Sequence, residues 1–198
     1  GSILAEGGAR AADMLGKGSA VYLRETKGLV GVLGERNLTP WQALGMTTVT
    51  RSSDYLRFLP PCDPCRLPEP MLKELVNRPV AYDAGLSSDR WDYSSVPWLV
   101  VWSQMCGMAL DMLGICDFVS VLYSPRSPGF EEFSKMVVLN TGLELSPAQI
   151  WEAAARAFNL ERLFNLRDGY NTGTERLRNW HSTGTDVGGL EGQALDEA

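Results

Sequence analysis

The longest apolar run in this chain lies between Val96 and Cys116, and no other segment restricts the fold so strongly. Ser103, Gln104 and Asp111 interrupt it, Pro97 stands near its start and Gly107 in its middle. A membrane-crossing helix needs about 20 predominantly apolar residues, and a carboxylate in hydrocarbon is costly. The run therefore reads as a helix buried in a protein core, begun by Pro97 behind a Ser94 or Ser95 cap and ending near Leu113. No membrane span is expected.

Further helices are signalled around it. Ser146-Pro-Ala-Gln149 is a capping box, and Ile150, Trp151, Ala154, Ala157, Phe158, Leu163 and Phe164 follow it at a period near 3.6, with Arg156, Arg162 and Arg167 facing elsewhere. That helix should run over about Pro147–Leu166, closed by Asp168-Gly169. Thr39-Pro-Trp-Gln42 is a second box, leading into the β-branched stretch Thr47–Thr50, whose helix propensity is poor. Ile3–Leu15 reads as one amphipathic helix with Ile3, Leu4, Met14 and Leu15 near one stripe, stopped at Gly16-Lys-Gly18. A helix is expected from Phe130 to about Leu139, and a short one at Met71–Val76. No run has a convincing strand period and no repeat is visible, so the fold class is mainly α with no sheet core.

The charge is −6, with a pI near 4.9 and no Lys/Arg cluster, which argues against nucleic-acid binding. Four unevenly spaced cysteines are too few for a secreted disulfide scaffold. No signal-peptide pattern opens the chain, and a cytoplasmic location is expected. The start at Gly1-Ser2 reads like the interior of something longer.

The chemistry concentrates where the apolar run ends, at Asp111-Met-Leu-Gly-Ile-Cys116. A carboxylate accepts hydrogen bonds from the N–H edge of a heterocycle, and a thiolate is a soft ligand for iron–sulfur or zinc. Gly114 lets the backbone leave helical geometry between them.

This run resembles the D-x-x-G-L-C pterin and cluster motif of the tungsten-dependent aldehyde:ferredoxin oxidoreductase family. Other blocks are similar in the same order: Ile3-Leu-Ala-Glu-Gly through Leu15-Gly-Lys-Gly18, then Lys27-Gly28, then Ala43-Leu-Gly-Met46 through Arg51–Arg57, and Glu161-Arg-Leu-Phe-Asn-Leu-Arg-Asp-Gly169. Each is weak alone, but together they span about residues 1–170.

The resemblance implies the carboxyl-side portion, domains 2 and 3, of a large enzyme. Such an enzyme holds tungsten or molybdenum on two pterins beside a 4Fe–4S cluster, oxidises aldehydes or related substrates, and passes electrons to ferredoxin or another carrier. It further implies that residues 1–60 close a middle helical domain and open the last, that 61–170 form a carboxyl-side helical domain, and that 171–198 form a loop-rich or disordered tail. Asp111 and Cys116 carry over as pterin and cluster ligands, and Ile115 and Asp117 as positions where backbone approaches the pterin. Arg57 matches a cofactor-touching cation. Tyr55 stands where the family often has a histidine near the metal; a phenol is a poor general base at neutral pH but can donate a hydrogen bond. Ser52 replaces an expected glycine.

The amino-terminal part that supplies the pterin base and the C-x-x-C-x-x-x-C thiolates is the expected partner. Without it this fragment should be inactive, because a lone Cys116 cannot hold a cluster. Each residue also has a plainer reading: Cys116 as a small hydrophobe, Asp111 as a helix-terminal carboxylate, Arg57 as a surface cation, and Glu161, Arg162 and Arg167 as members of helix-surface pairs. Cys62-Asp-Pro-Cys65 has no counterpart in the resemblance and reads as a thiol loop; Cys106 and Cys116 point about 80° apart on one helix, against a four-thiol site. His181 reads as an exposed tail residue. The alternative function is a non-enzymatic helical structural or interaction protein that keeps the scaffold.

Overall fold

The structure, a computed structural model, describes residues 1–30, 40–51, 54–58, 68, 70, 93–117, 128–171, 173 and 175, with Tyr55 as backbone only. Its helices are α1 (Ser2–Ala5), α2 (Gly8–Leu15), α3 (Pro40–Thr48), α4 (Val96–Leu113), α5 (Phe130–Thr141) and α6 (Pro147–Arg167). The architecture is mainly α. The expected helix at 71–76, the Thr39 cap, Ser52, the Cys62/Cys65 loop, His181 and the tail beyond 175 lie outside the described residues.

Helix α4 is apolar all round because it is covered on two sides. One side contributes Leu99, Trp102, Cys106, Ala109 and Leu110 to a cluster with Phe130 and Phe133 of α5 and Ile150 and Ala154 of α6. Trp151 of α6 stacks on Trp98 at 5.9 Å between ring centres and lies 5.4 Å from Phe130. The other side sets Val96 and Val100 against Trp41, Met46, Val49 and Phe58. Two polar side chains inside the run are satisfied: the Ser103 hydroxyl donates to the Leu99 carbonyl at 2.5 Å, and the Gln104 amide donates to Thr48 Oγ1 at 2.8 Å. The helix is long and apolar enough to cross a membrane, yet most of it is buried inside the protein. Truncating a fully covered aromatic such as Phe133 would cost about 3–5 kcal/mol.

Capping follows the sequence at α6. Gln149 N–H donates to Ser146 Oγ (3.3 Å) and Ser146 N–H to Gln149 Oε1 (2.8 Å), with Pro147 as first helical residue. At α4 the outcome differs. Ser95 is the N-cap residue, but a 3₁₀ turn over Tyr93–Ser95 leads into the helix and leaves it in αR geometry, so its hydroxyl makes no cap bond.

Three expectations are corrected. Ile3–Leu15 is two helices, broken where Gly7 takes a φ of 87°; the buried residues of α2 are Ala11 and Ala12, and Leu4, Met14 and Leu15 are exposed. A two-stranded hairpin is present: Glu25–Thr26 pairs antiparallel with Leu29–Val30, and Lys27 and Gly28 form the turn with positive φ at both. Strands of two residues are too short to show a period. Along α6, Ile150 and Ala154 face the core, whereas Leu163 and Phe164 are exposed, since beyond Phe158 the helix follows a polar segment at 48–50.

Candidate functional site

Helix α4 ends in a Schellman motif. Gly114 adopts the left-handed conformation (φ 68°), its N–H donates to the Asp111 carbonyl at 3.2 Å, and the Ile115 N–H donates to Leu110 at 3.0 Å. The turn presents Asp111 and Cys116 to solvent on either side of it, tucks the Ile115 side chain against the core, and leaves Asp117 half-buried. The Ile115 N–H is thus committed to the cap.

Arg57 reaches this helix end from a different element. The 3₁₀ turn Tyr55–Arg57 lies across α4 at Gly107, where an added Cβ would sit 3.0 Å from the Arg57 carbonyl oxygen and 3.3 Å from that of Leu56. Gly107 and Asp111 are one helical turn apart on one face, so close approach at the first brings the Arg57 side chain to the second. Nη1 of Arg57 stands 2.9 Å from Asp111 Oδ2. The same nitrogen lies 3.4 and 3.5 Å from the two carboxylate oxygens of Glu161 on α6, and Nε is 3.9 Å from Asp54 Oδ2. Asp54 is also paired with Arg51 and accepts the Leu56 N–H at 3.2 Å, which closes the turn.

Helix α6 holds this arrangement from the other side. Glu161 accepts the Thr50 hydroxyl, Arg162 Nη1 donates to the Thr48 carbonyl at 2.9 Å, and Asn165 Nδ2 donates to the Thr50 carbonyl at 2.6 Å. Carbonyls released where the β-branched end of α3 stops are therefore taken up by α6. Arg162 also pairs with Glu175 at 2.8 Å. Glu175 lies 3.6 Å from Lys27 Nζ, which itself donates to the Val49 carbonyl at 2.7 Å. Burial pulls the Lys27 ammonium below its ordinary pKa, with Glu175 opposing that fall.

The helix end is electrostatically unfavourable for acids. The C-terminus of α4 carries the negative end of its dipole, yet Asp111 lies in its last turn, and Asp117 follows just beyond. Arg57 offsets Asp111. Asp117 is less well served: one carboxylate oxygen is buried without a hydrogen-bond partner, and its pKa rises to about 6, through burial first and then Asp111 and Asp54, with Arg57 opposing.

Of the residues singled out in the sequence, Arg57, Asp111, Ile115, Cys116 and Asp117 thus gather at one end of α4, with the Tyr55 backbone in the turn beside it. Cys106 is buried in α4 and Cys116 is exposed beyond it. Among the described residues no group of three or more His, Cys, Asp or Glu could hold a metal ion. Glu161 and Arg162 are not helix-surface partners: their contacts are with Thr50, Arg57, Thr48 and Glu175, far away in sequence. Arg167 keeps a local role, pairing with Asp168 at 3.2 Å with its guanidinium over the Phe164 ring. The part played by Gly107 was not read from the sequence; a glycine in mid-helix was its only signal.

Comparison with known families matches residues 1–197 to the family described as aldehyde ferredoxin oxidoreductase, domains 2 and 3. No curated protein and no solved structure matches the chain.

Proposed function

This chain belongs to the aldehyde ferredoxin oxidoreductase family, and from that premise we propose that it forms the cofactor-binding, carboxyl-side portion of a tungsten- or molybdenum-pterin oxidoreductase that also carries a 4Fe–4S cluster. The observation that supports this best is the broken local rule at the end of α4. A carboxylate and a thiol stand exposed at the electrostatically wrong end of a buried helix, and a guanidinium from another element is brought to the carboxylate. Departures of this kind concentrate at functional sites.

The donor set suits the cofactors in part. Asp111, half-exposed and paired through Oδ2, offers acceptor capacity for the N–H edge of a pterin, and Arg57 suits an anionic or heterocyclic edge. Cys116 offers one thiolate, whereas a four-iron cluster generally takes four, so the remaining ligands come from an amino-terminal portion of the same enzyme. When bound, these groups would supply two-electron oxidation of an aldehyde or related substrate, with the electrons leaving one at a time to ferredoxin or a similar carrier. Here Arg57 and Asp111 would hold the pterin edge, Cys116 would ligate the cluster, and the backbone at Ile115 and Asp117 would border the cofactor. Tyr55, at the position where the family often has histidine, would serve as a hydrogen-bond donor to substrate, a role a phenol fills better than that of a general base.

The test is anaerobic production of the full-length protein with tungstate or molybdate, followed by metal, pterin, iron and acid-labile sulfide analysis. Stoichiometric metal, pterin and iron are expected in the wild type. Asp111→Asn should retain the cluster but release pterin more readily, because the charge-assisted bond is lost. A full-length protein free of all these groups would sink the reading and favour a helical scaffold without redox chemistry.

A further inference from the structure

The run Glu161-Arg-Leu-Phe-Asn165 has a role beyond surface pairing. Glu161, Arg162 and Asn165 all reach across from α6 to the segment 48–50, but only Glu161 continues to the site. Its carboxylate takes the Thr50 hydroxyl on one oxygen and faces Arg57 Nη1 with both. That nitrogen is shared with Asp111, which it meets 0.5 Å more closely, at 2.9 against 3.4 Å.

We propose that Glu161 is a positioning residue for Arg57, holding the guanidinium at the end of α4 so that Asp111 can turn its carboxylate to a pterin without releasing it. This rests on the cofactor-binding reading above. The physical case is a division of labour between two carboxylates around one cation. Both carboxylates are partly exposed, 46% for Asp111 and 40% for Glu161, and what separates them is tethering: Asp111 is the acceptor available to a ligand. Glu161 is fixed by Thr50, whose own carbonyl is gripped by Asn165, so it cannot follow the ligand. When Asp111 reorients, Arg57 keeps a charged partner on α6. Without Glu161 the guanidinium would be left to Asp111 and to Asp54, which stands at 3.9 Å and is already engaged by Arg51.

The experiment compares Glu161→Gln, Arg162→Ala, Arg57→Ala and the double variant Arg57→Ala/Glu161→Gln in the full-length, cofactor-loaded protein. Pterin loss is followed by the fluorescence of released, oxidised pterin, and folding by thermal melting. Glu161→Gln keeps an acceptor for Thr50 and should melt near the wild type, yet lose pterin about tenfold faster, the scale typical of groups that orient a ligand's direct partners. Arg162→Ala breaks the same seam without touching Arg57. It should lower the melting temperature and leave the pterin off-rate of the folded protein unchanged. In the Arg57→Ala background, Glu161→Gln should add nothing, since the two residues then act as one unit. Wild-type pterin retention in Glu161→Gln would overturn the proposal alone, as would an additive double variant or an Arg162→Ala effect equal to that of Glu161→Gln. A wild type that carries no pterin would overturn the cofactor reading as well.

Discussion

Gly107 and Arg57 meet backbone to backbone: a Cβ on Gly107 would stand 3.0 Å from the Arg57 carbonyl oxygen and 3.2 Å from its carbonyl carbon. The contact places the 3₁₀ turn against α4 one helical turn before Asp111, and the Arg57–Asp111 pair follows from it.

Gly107→Ala sets two effects against each other. Alanine favours a helix interior over glycine by about 1 kcal/mol. Forcing a methyl into a packed contact costs about 1–3 kcal/mol. The obstacle here is backbone and not a flexible side chain, so the clash should win, with a net loss of about 1–2 kcal/mol in denaturant unfolding. A variant as stable as the wild type would show that the turn can shift at little cost.

Asp117 gives a pH signature. Its carboxyl is raised from 3.8 to about 6, so between those values the folded protein binds more protons than the unfolded chain. Stability contributed by the protonated group is present below about pH 4 and is lost as pH rises through 6. After discounting for partial exposure, the effect is on the order of 1–2 kcal/mol. Asp117→Asn should therefore be no more stable than the wild type at pH 4 but more stable at pH 7.5. A constant difference across that range, in paired urea titrations, would show that Asp117 titrates normally.

Cys116→Ala should fold like the wild type, since the thiol is exposed past the end of α4. In the full-length enzyme it should abolish or convert the four-iron signal in electron paramagnetic resonance, because a direct ligand is gone. Tyr55→Phe is the contrast: both cofactors should stay and only turnover or substrate choice should change. An intact cluster in the first variant, or cofactor loss in the second, would reverse these assignments.

The 198-residue chain by itself should bind neither iron–sulfur nor pterin stably, because Cys116 is the single cysteine that matches a cluster ligand of the family, whereas a four-iron cluster generally takes four thiolates. Anaerobic reconstitution with iron and sulfide is the check. Stoichiometric cluster would instead point to a site completed by Cys62 and Cys65.

What the sequence alone determined is local. The capping box at Ser146, the proline that opens α4, and the glycines at 114 and 169 place helix ends, because each acts through backbone groups a few residues away. The continuous apolar run made α4 a central helix, and the ordered motif blocks carried the family. What only the tertiary structure decided is which distant side chains meet. Arg57 and Glu161 lie 104 residues apart, and nothing in either segment announces the other. Helical periodicity turned Arg162 outward, but α6 outruns the apolar cluster and meets the carbonyls at 48–50, where a charged donor is what fits. The hairpin at 25–30 was hidden for a related reason: two-residue strands carry no period, and Lys27 is held there by the Val49 carbonyl from α3's end. Periodicity reports whether a side chain faces protein or water, whereas an ion pair across elements depends on how those elements pack.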